Sequence, residues 1–438
     1  MQRQIHINLF IYTRGHHEAA WRHPRASPLP ITDLDYYIDC ARKAEAAHFD
    51  SIFLADTLNI PDEVERTAAR LWLEPLTTLG ALAATTSRIG LIATASTTYC
   101  EPFNLARQLA SLDHASRGRV GWNIVTTFNA AASRNFSNAG RLNHAERYGR
   151  GEEFLEVAKA LWDSWSDDAV LDDRAGGRFV RAGSIRPINH VGESYQVAGP
   201  LNLPRCPQGH PVIVQAGSSE SGIDFAARLA EAVFTAHLEK AKAQAFYRDL
   251  KERAAAAGRN TDQVLILPGL SPMIAGTEAE ALRLQRELYD LNDPEIGRKR
   301  LSERFDGHDF SHLPLDRPLS VEDFPDPQEN EGWRSRTELI LGAVKREKLT
   351  LRQLLGKLAG GRGHFVTAGT PEQIADMMID WVDTRAADGF NLMPPVLPYM
   401  LEVFAAEVVP ILQRRGRFRT RYEGTMLRDH YGLSRPAA

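Results

Sequence analysis

Short apolar runs alternate with helical patterns along this chain of 438 residues, and this alternation constrains the fold more than any other feature. Strands separated by helices predict parallel pairing, because a parallel connection needs a crossover of about a dozen residues or more. Eight such units predict an α/β fold of the (β/α)8 TIM-barrel class, with an open doubly wound sheet as the alternative that the pattern also allows. The eight predicted strands are 5–11, 51–55, 89–95, 120–125, 211–216, 232–235, 264–267 (extendable to 274) and 389–393.

Two intervals between predicted strands are longer than a βα unit requires. Residues 166–206 follow the helix after the fourth strand and are rich in glycine, aspartate and proline. Residues 290–365 lie between the seventh and eighth strands and contain the proline-rich run 313–318. We expect both intervals to be insertions, formed as loops over the active face of a single domain that spans residues 1–438.

The charge balance gives no general case for binding nucleic acid or an anionic membrane. Charged residues make up 25% of the chain and the formal net charge is -4. The basic run 414–421, flanked by Tyr422, is the one local exception. We interpret it as a solvated or subunit-facing segment rather than a nucleic-acid patch, because such charge runs usually lie on solvated faces.

Cysteine usage and hydropathy point to the reducing cytoplasm. The three cysteines lie far apart and form no Cys-x-x-Cys pair, so no disulfide framework is predicted. The apolar run at residues 7–12 is too short and polar for a signal peptide, and no run approaches the length of a membrane span. We therefore expect a cytoplasmic protein.

Polar residues follow several predicted strands at their carboxyl ends, where the active sites of barrels lie. Asn123 belongs to a buried strand, and a buried amide without partners costs roughly 1–3 kcal/mol, so it bonds either to backbone or to a ligand. Asp56 follows the second strand, where it could equally cap the next segment. The other strand-end segments are 13–17, 94–99, 123–127 and 217–219.

Gly217, Ser218 and Ser219 directly precede a predicted helix, an arrangement that suits an anion. Such a turn offers free backbone N–H groups, the positive end of the helix dipole and two hydroxyl groups, and phosphate is its natural occupant. An ordinary serine helix cap is the alternative.

A catalytic metal is not predicted. His16 and His17 are adjacent, so their side chains diverge if the strand continues, and no His-Glu-x-x-His motif occurs. No Gly-x-Gly-x-x-Gly follows a strand and no Walker lysine loop occurs, so the chain has no evident nicotinamide-binding fold of its own.

The run at residues 118–127, Gly-Arg-Val-Gly-Trp-Asn-Ile-Val-Thr-Thr, resembles a signature of the bacterial luciferase-like flavin monooxygenases. It is similar to the branch that holds nitrilotriacetate monooxygenase, dibenzothiophene-sulfone monooxygenase and pristinamycin synthase. Further motifs of that branch are matched in order at 15–22, 101–107, 146–148, 215–219, 369–373, 387–392, 414–416 and 422–424.

The resemblance implies a TIM barrel that uses reduced FMN and O2 to oxygenate a small organic substrate through a C4a-(hydro)peroxyflavin, with C–N or C–S cleavage as a plausible outcome. A separate NAD(P)H:flavin reductase supplies the reduced FMN, and the assembly is a homodimer or homotetramer. By the same resemblance, the flavin ring and ribityl chain contact Asp56, Thr98 and Asn123. The phosphate contacts Tyr148, Ser218 and Ser219.

The resemblance also raises hypotheses for four histidines. His17 is expected near the reactive end of the flavin as the catalytic residue, with His16 as a second choice. His308 and His312 lie in the second insertion, which borders the substrate pocket in this family, although loop histidines are usually only solvated. Two other functions stay open: a deazaflavin (F420)-dependent oxidoreductase on the same barrel, and a non-catalytic flavin-binding relative.

Overall fold

The structure is a computed structural model of the chain. It describes residues 3–60, 71–127, 130–136, 144–217, 219–326, 334–361 and 363–437.

The strands in chain order are β1 (His6–Ile11), β2 (Ser51–Leu54), β3 (Gly90–Ser96), β4 (Val120–Val125), β5 (Val170–Asp173), β6 (Arg178–Val180), β7 (His190–Val191), β8 (Gln196–Val197), β9 (Val212–Ala216), β10 (Ala232–Thr235), β11 (Leu265–Ile274), β12 (Phe365–Gly369) and β13 (Gly389–Leu392). Eight of them pair in parallel in the order β1-β2-β3-β4-β9-β10-β11-β13, and β13 returns to β1. The predicted (β/α)8 barrel is therefore confirmed, and its eight strands are the predicted ones.

The α-helices are α1 (Leu34–Ala46), α2 (Pro75–Thr85), α3 (Pro102–Ser116), α4 (Ala130–Ser133), α5 (His144–Trp162), α6 (Glu220–Leu229), α7 (Lys240–Ala256), α8 (Glu278–Asp290), α9 (Pro294–Arg304), α10 (Arg334–Glu347), α11 (Leu351–Gly361), α12 (Pro371–Asp383), α13 (Tyr399–Val403), α14 (Val409–Arg414) and α15 (Leu427–Tyr431). A π-helical turn, Phe404–Val408, joins α13 to α14, and short 3-10 turns lie at Ala20–Arg22, Thr261–Gln263 and Val321–Asp323.

The strand β12 was not predicted. It pairs in parallel with the second half of β11, from Leu270 opposite Phe365 to Ile274 opposite Gly369, and lies outside the closed barrel. Its residues are mostly half-buried, so the segment has neither a continuous apolar run nor a clear alternation that would mark a strand.

The two insertions differ from each other. Residues 166–206 contain two short antiparallel hairpins, β5–β6 and β7–β8. The expectation of a loop is wrong for the second insertion, which folds into α9, α10 and α11. These helices bury a hydrophobic cluster separate from the barrel core, which includes Leu301, Phe305, Phe310 and Leu354. Apolar residues that can pack against one another favour helices over an open loop.

The segment around α15 closes the amino-terminal end of the barrel. Leu427 and Tyr431 belong to the same buried cluster as the inward-facing Phe10. A side chain at Gly90 would collide with Leu427, and Tyr431 donates a hydrogen bond to Asn8 at 2.8 Å. A ligand therefore has to enter the barrel at the carboxyl ends of the strands.

Part of the basic run near α15 is engaged within the fold, while Arg414, Arg415, Thr420 and Arg421 are exposed, as expected of a solvated or subunit-facing segment. Arg417 is 3% exposed and donates to both carboxylate oxygens of Asp383 at 2.9 and 2.6 Å. Phe418 is buried, and Arg419 forms an ion pair with the fully buried Asp50. Burial and specific carboxylate partners therefore account for Arg417 and Arg419.

No helix within the described ranges is long and apolar enough to cross a membrane. All three cysteines, Cys40, Cys100 and Cys206, are free thiols.

A buried carboxyl group in α3 makes the stability of the fold depend on pH. Asp113 is fully buried, accepts hydrogen bonds from Gln208 Nε2 at 2.7 Å and from the N–H of Val120 at 3.1 Å, and burial raises its pKa to about 6. The folded state therefore holds this proton more tightly than the unfolded state, and the stability from it is lost as the pH rises from about 4 through 6. We expect Asp113→Asn to raise the free energy of unfolding by up to ~3 kcal/mol at pH 7.5 and by almost nothing at pH 4.

Thermal unfolding between pH 4 and 8 tests this prediction, with Asp306→Asn on an exposed turn as the matched control. An equal effect of Asp113→Asn at both ends of that range would contradict a buried, protonated carboxyl group.

Candidate functional site

The candidate site begins with an amide inside the mouth of the barrel. Asn123 of β4 lies opposite Thr94 of β3, is 3% exposed, and donates from Nδ2 to Thr94 Oγ1 at 2.9 Å. Its Oδ1 has no hydrogen-bond donor among the described residues. Because an unsatisfied buried oxygen costs roughly 1–3 kcal/mol, this atom is suited to accept a hydrogen bond from a ligand.

Hydroxyl groups continue the site along the ends of β3 and β4. Ser96 Oγ lies 2.7 Å from Thr127 Oγ1 and accepts the backbone N–H of Thr98 at 3.2 Å. This bridge holds the start of the loop that carries Thr98 at the ends of β3 and β4. Two of the predicted flavin contacts thus lie in or directly after neighbouring strands.

Asp56 follows β2 and is half-buried at the edge of the mouth. Burial raises the pKa of its carboxyl group, and the charge of Glu74 acts in the same direction. The N–H of Thr57 donates to Asp56 Oδ1 at 2.8 Å, and Trp72 also donates to the carboxyl group. The end of β2 therefore holds the carboxyl group of Asp56 in a fixed position, where it can still accept a hydrogen bond from a ligand.

A second polar group surrounds the amino-terminal end of α6. Ser219 caps the helix by accepting the N–H of Gly222 at 3.2 Å, and the Tyr148 hydroxyl lies 3.5 Å from Ser219 Oγ. A side chain at Gly222 would reach 3.1 Å from both of these oxygens, and Oε1 of the buried Gln215 has no donor among the described residues. Hydroxyl groups and a positive helix end suit an anion such as phosphate.

Close packing links this second group to the strand ends. A side chain at Gly151 of α5 would lie 3.1 Å from Thr126 and 3.4 Å from Thr97, so α5 packs closely against the strand ends at this glycine. Tyr148, one turn earlier in α5, is thereby held at the mouth. Ser218, the remaining predicted phosphate contact, lies outside the described residues.

His16 and His17 point to different parts of the molecule. The His16 ring lies 4.5 Å from the ring of Phe10 and 4.9 Å from that of Tyr12, in the aromatic cluster inside the barrel. His17 is 2% exposed and accepts the N–H of Ala19 on Nδ1 at 3.1 Å. Its Nε2 then carries the proton and donates to the Gly356 carbonyl at 3.1 Å. A catalytic role of His17 stays a prediction, and it requires this Nε2 contact to break.

The contacts of His17 form a clasp between the loop after β1 and the second insertion, which the sequence did not reveal. The clasp consists of His17, Glu18, Tyr289, Gly356 and Gly360. The His17 ring stacks on Tyr289 at 5.6 Å, and side chains at Gly356 and Gly360 would lie 2.5 Å from Tyr289 and 3.0 Å from His17. The N–H of Glu18 donates to the Ala359 carbonyl at 3.2 Å. Glycines four residues apart in an apolar helix were the only signal in the sequence.

The other two candidate histidines lie elsewhere in the second insertion. His308 packs its ring 4.7 Å from Phe310, in the separate hydrophobic cluster, and His312 is exposed. Within the described residues, no group of three or more histidines, cysteines or carboxylates is placed to hold a metal ion.

A cavity of about 260 Å³ lies between α10, α11, β12 and the loop after β10. His364 lines it and stacks on Phe234 at 4.9 Å, with ring planes 6° apart. Phe234 in turn packs 5.8 Å from Phe10 and 5.6 Å from Phe53 inside the barrel. The rings of His364 and Phe234 therefore lie between the cavity and the interior of the barrel.

Comparison with known proteins identifies the class to which this barrel and its polar mouth belong. The family model described as luciferase-like monooxygenase matches residues 8–388, and the chain belongs to this family. It is a monooxygenase, so the predicted family and enzyme class are confirmed.

Individual relatives place the chain in the predicted branch. It is 48% identical over 435 residues to N-acetyl-S-(2-succino)cysteine monooxygenase of Bacillus subtilis, covering 99% of this chain and 98% of the relative. It is 46% identical over 445 residues to nitrilotriacetate monooxygenase component A of Aminobacter aminovorans, covering 99% and 97%. Among solved structures, EDTA monooxygenase from Chelativorans is 37% identical with a TM-score of 0.82, covering 99% of both chains.

Proposed function

We propose that this chain is the oxygenating component of a two-component monooxygenase that uses reduced FMN from a separate NAD(P)H:flavin reductase. One atom of O2 enters a small organic substrate, the other leaves as water, and FMNH2 is oxidised to FMN. Cleavage of a C–N or C–S bond then follows in the oxygenated product. The name of the nitrilotriacetate relative, component A, and the absence of a dinucleotide motif in this sequence support a separate reductase.

The observation that carries the cofactor proposal is the unsatisfied Oδ1 of Asn123 at the mouth of the barrel. Reduced flavin supplies the electrons and activates O2. The N–H groups of its ring can donate a hydrogen bond to Asn123 Oδ1. The amino-terminal end of α6 would hold the phosphate, with the hydroxyl groups of Tyr148 and Ser219 beside it. Asp56, Thr98 and Ser218 complete the proposed set of flavin contacts.

The chain's own residues bind and orient the flavin and keep water from the reacting atoms. We further propose that the chain acts as one domain, in the cytoplasm, as a homodimer or homotetramer. The free thiols are in keeping with a reducing compartment.

Flavin binding tests the proposed phosphate site at the amino-terminal end of α6. We expect Ser219→Asp to weaken FMN binding about 10-fold to 100-fold, because a carboxylate at the end of α6 repels the phosphate and removes a donor. Riboflavin lacks the phosphate, and its affinity should be the same for the variant and the unaltered protein. Fluorescence titration with both flavins gives the comparison, and equal weakening for both flavins would place the phosphate elsewhere.

Oxygen consumption tests the reaction class. With a flavin reductase, NADH, FMN and a substrate, the protein should consume one O2 for each product molecule and release little hydrogen peroxide. Reduction or oxidation of a substrate by deazaflavin without oxygen uptake would establish the alternative of a deazaflavin-dependent oxidoreductase. FMN binding without any oxygenation across sulfides, sulfones, amines and carboxylates would establish a non-catalytic protein.

A further inference from the structure

We propose that Tyr195, in the β7–β8 hairpin of the first insertion, is a positioning residue for the proposed flavin site. Its hydroxyl group ties the loop after β3 to α5, so that the groups on the side of the flavin ring and those on the side of the phosphate keep a fixed spacing. This inference rests on the proposed function, because it concerns how the same site is held in shape.

A carboxylate of α5 fixes the hairpin that carries Tyr195. Glu153 Oε1 accepts the N–H of Tyr195 at 2.9 Å and lies 3.0 Å from His190 Nε2, and its Oε2 accepts the N–H of Ser194 at 2.8 Å. Hydrogen bonds to an ionised acceptor are stronger than those between neutral groups. The hairpin is therefore held on α5 at three points, and Tyr195 enters the fold from a defined position.

The Tyr195 hydroxyl group reaches from the hairpin to two elements of the site. It accepts a hydrogen bond from Arg150 Nε of α5 at 2.7 Å and donates to the Thr97 carbonyl, in the loop after β3, at 3.5 Å. Tyr195 is 6% exposed, so little water competes for these contacts. The hydroxyl group therefore lies at the junction of α5 and this loop.

The Tyr195 ring supports the same junction from the outside of the barrel. It packs edge-on 5.6 Å from Phe154 of α5, which in turn lies 5.6 Å from Trp122 of β4. The Trp122 indole donates to the Ala95 carbonyl of β3 at 3.1 Å, and the next residue, Asn123, faces inward because side chains alternate along a strand. Loss of the ring would disturb this packing, whereas loss of the hydroxyl group alone leaves it in place.

The two elements that Tyr195 joins carry opposite ends of the proposed flavin site. Thr98, on the side of the flavin ring, directly follows the residue whose carbonyl Tyr195 contacts. Tyr148, on the side of the phosphate, lies two positions before Arg150, and its hydroxyl group is 3.5 Å from Ser219 Oγ. FMN spans both ends, whereas riboflavin has no phosphate and needs only the first. Loss of the fixed spacing should therefore weaken FMN binding more than riboflavin binding.

The test compares Tyr195→Phe, Arg150→Lys and the double variant with Tyr422→Phe. Tyr195→Phe keeps the ring, and Arg150→Lys keeps the positive charge but places a methylene group where Nε was. Tyr422→Phe is the matched control, because this hydroxyl group donates to the Phe49 carbonyl at 2.7 Å, near the amino-terminal end of the barrel. Fluorescence titration gives the dissociation constants for FMN and riboflavin, and thermal melts record stability.

We expect the unaltered protein to bind FMN more tightly than riboflavin. Each single variant should weaken FMN binding about 5-fold to 10-fold, the size of one lost hydrogen bond, and should change riboflavin binding by less than about 2-fold. The double variant should bind FMN about as well as either single variant, because both substitutions break the same link. Tyr422→Phe should leave both affinities unchanged, whatever its melting temperature.

An equal loss for both flavins, no loss for either, or effects that add in the double variant would overturn the fixed spacing and leave Tyr195 a residue of the fold alone. Equal affinity of the unaltered protein for the two flavins would overturn it as well. If these results came with FMN binding and substrate-dependent O2 consumption by the unaltered protein, the proposed monooxygenase would stand. If the unaltered protein bound neither flavin, both proposals would fail.

Discussion

Replacing Gly356 by alanine is expected to loosen the second insertion from the barrel and to raise the KM of the enzyme. The new Cβ would lie 2.5 Å from Tyr289 Cγ, and that ring is half-buried and stacked on His17. Overpacking of this kind costs about 1–3 kcal/mol, and here the strain falls on the clasp. Since α11 also forms one wall of the cavity, the expected result is a several-fold higher KM and faster proteolysis within residues 290–361.

Gly342→Ala in α10 is the matched control for this prediction. A Cβ at Gly342 meets only the flexible end of Arg346, at 3.2 Å, so the substitution should stabilise α10 by about 1 kcal/mol through helix propensity. The two glycine-to-alanine changes thus carry opposite signs within one insertion. If Gly356→Ala also raised the melting temperature and left KM unchanged, the clasp would have no role in holding the insertion.

Replacing Asn123 by leucine is expected to abolish most oxygenase activity while leaving the flavin-free protein at least as stable as before. Leucine has a similar shape, but it removes the unsatisfied Oδ1 and the bond from Nδ2 to Thr94. Loss of a hydrogen bond to the flavin should weaken FMN binding about 10-fold to 100-fold. The flavin-free protein loses a buried oxygen that had no donor, so its melting temperature should hold or rise.

Thr94→Val separates the two ends of the Asn123 side chain. It removes the partner of Nδ2 and leaves Oδ1 in place, so FMN binding should fall less than in Asn123→Leu. Calorimetric titration with FMN and thermal melts of the flavin-free proteins give both numbers. If the substitution Asn123→Leu lowered the free energy of unfolding by as much as it weakened the free energy of FMN binding, Asn123 would only support the fold.

The barrel could be predicted from the sequence because its strands are short apolar runs, and the local order of apolar and polar residues indicates which segments are buried. The same logic identified Asn123, since an amide inside such a run needs a partner. The helical insertion was missed because its apolar residues, such as Phe305 and Phe310, pack in a cluster of their own next to a proline-rich stretch that is typical of a loop. Local pattern reports which face of an element is buried but not what covers it.

The clasp and the closed base of the barrel were missed for a related reason. His17 and Gly356 are 339 residues apart, and Asn8 and Tyr431 are 423 apart. No periodicity within a single segment encodes such contacts. The hypothesis of a catalytic His17 did not anticipate the clasp, because it considered the loop after β1 without α11, the helix that packs on this loop.

The way α15 fills the base of the barrel has a consequence for how the chain matures on the ribosome. When β13 emerges, every barrel strand has been made, yet the hollow below Asn8 still lacks Leu427 and Tyr431. At about 5–20 residues per second, Tyr431 is made on the order of 2–8 s after Leu392, the last residue of β13. Until then the apolar residues at the base of the barrel lack their partners in α15, so this end of the barrel completes its packing at a late and defined moment of synthesis.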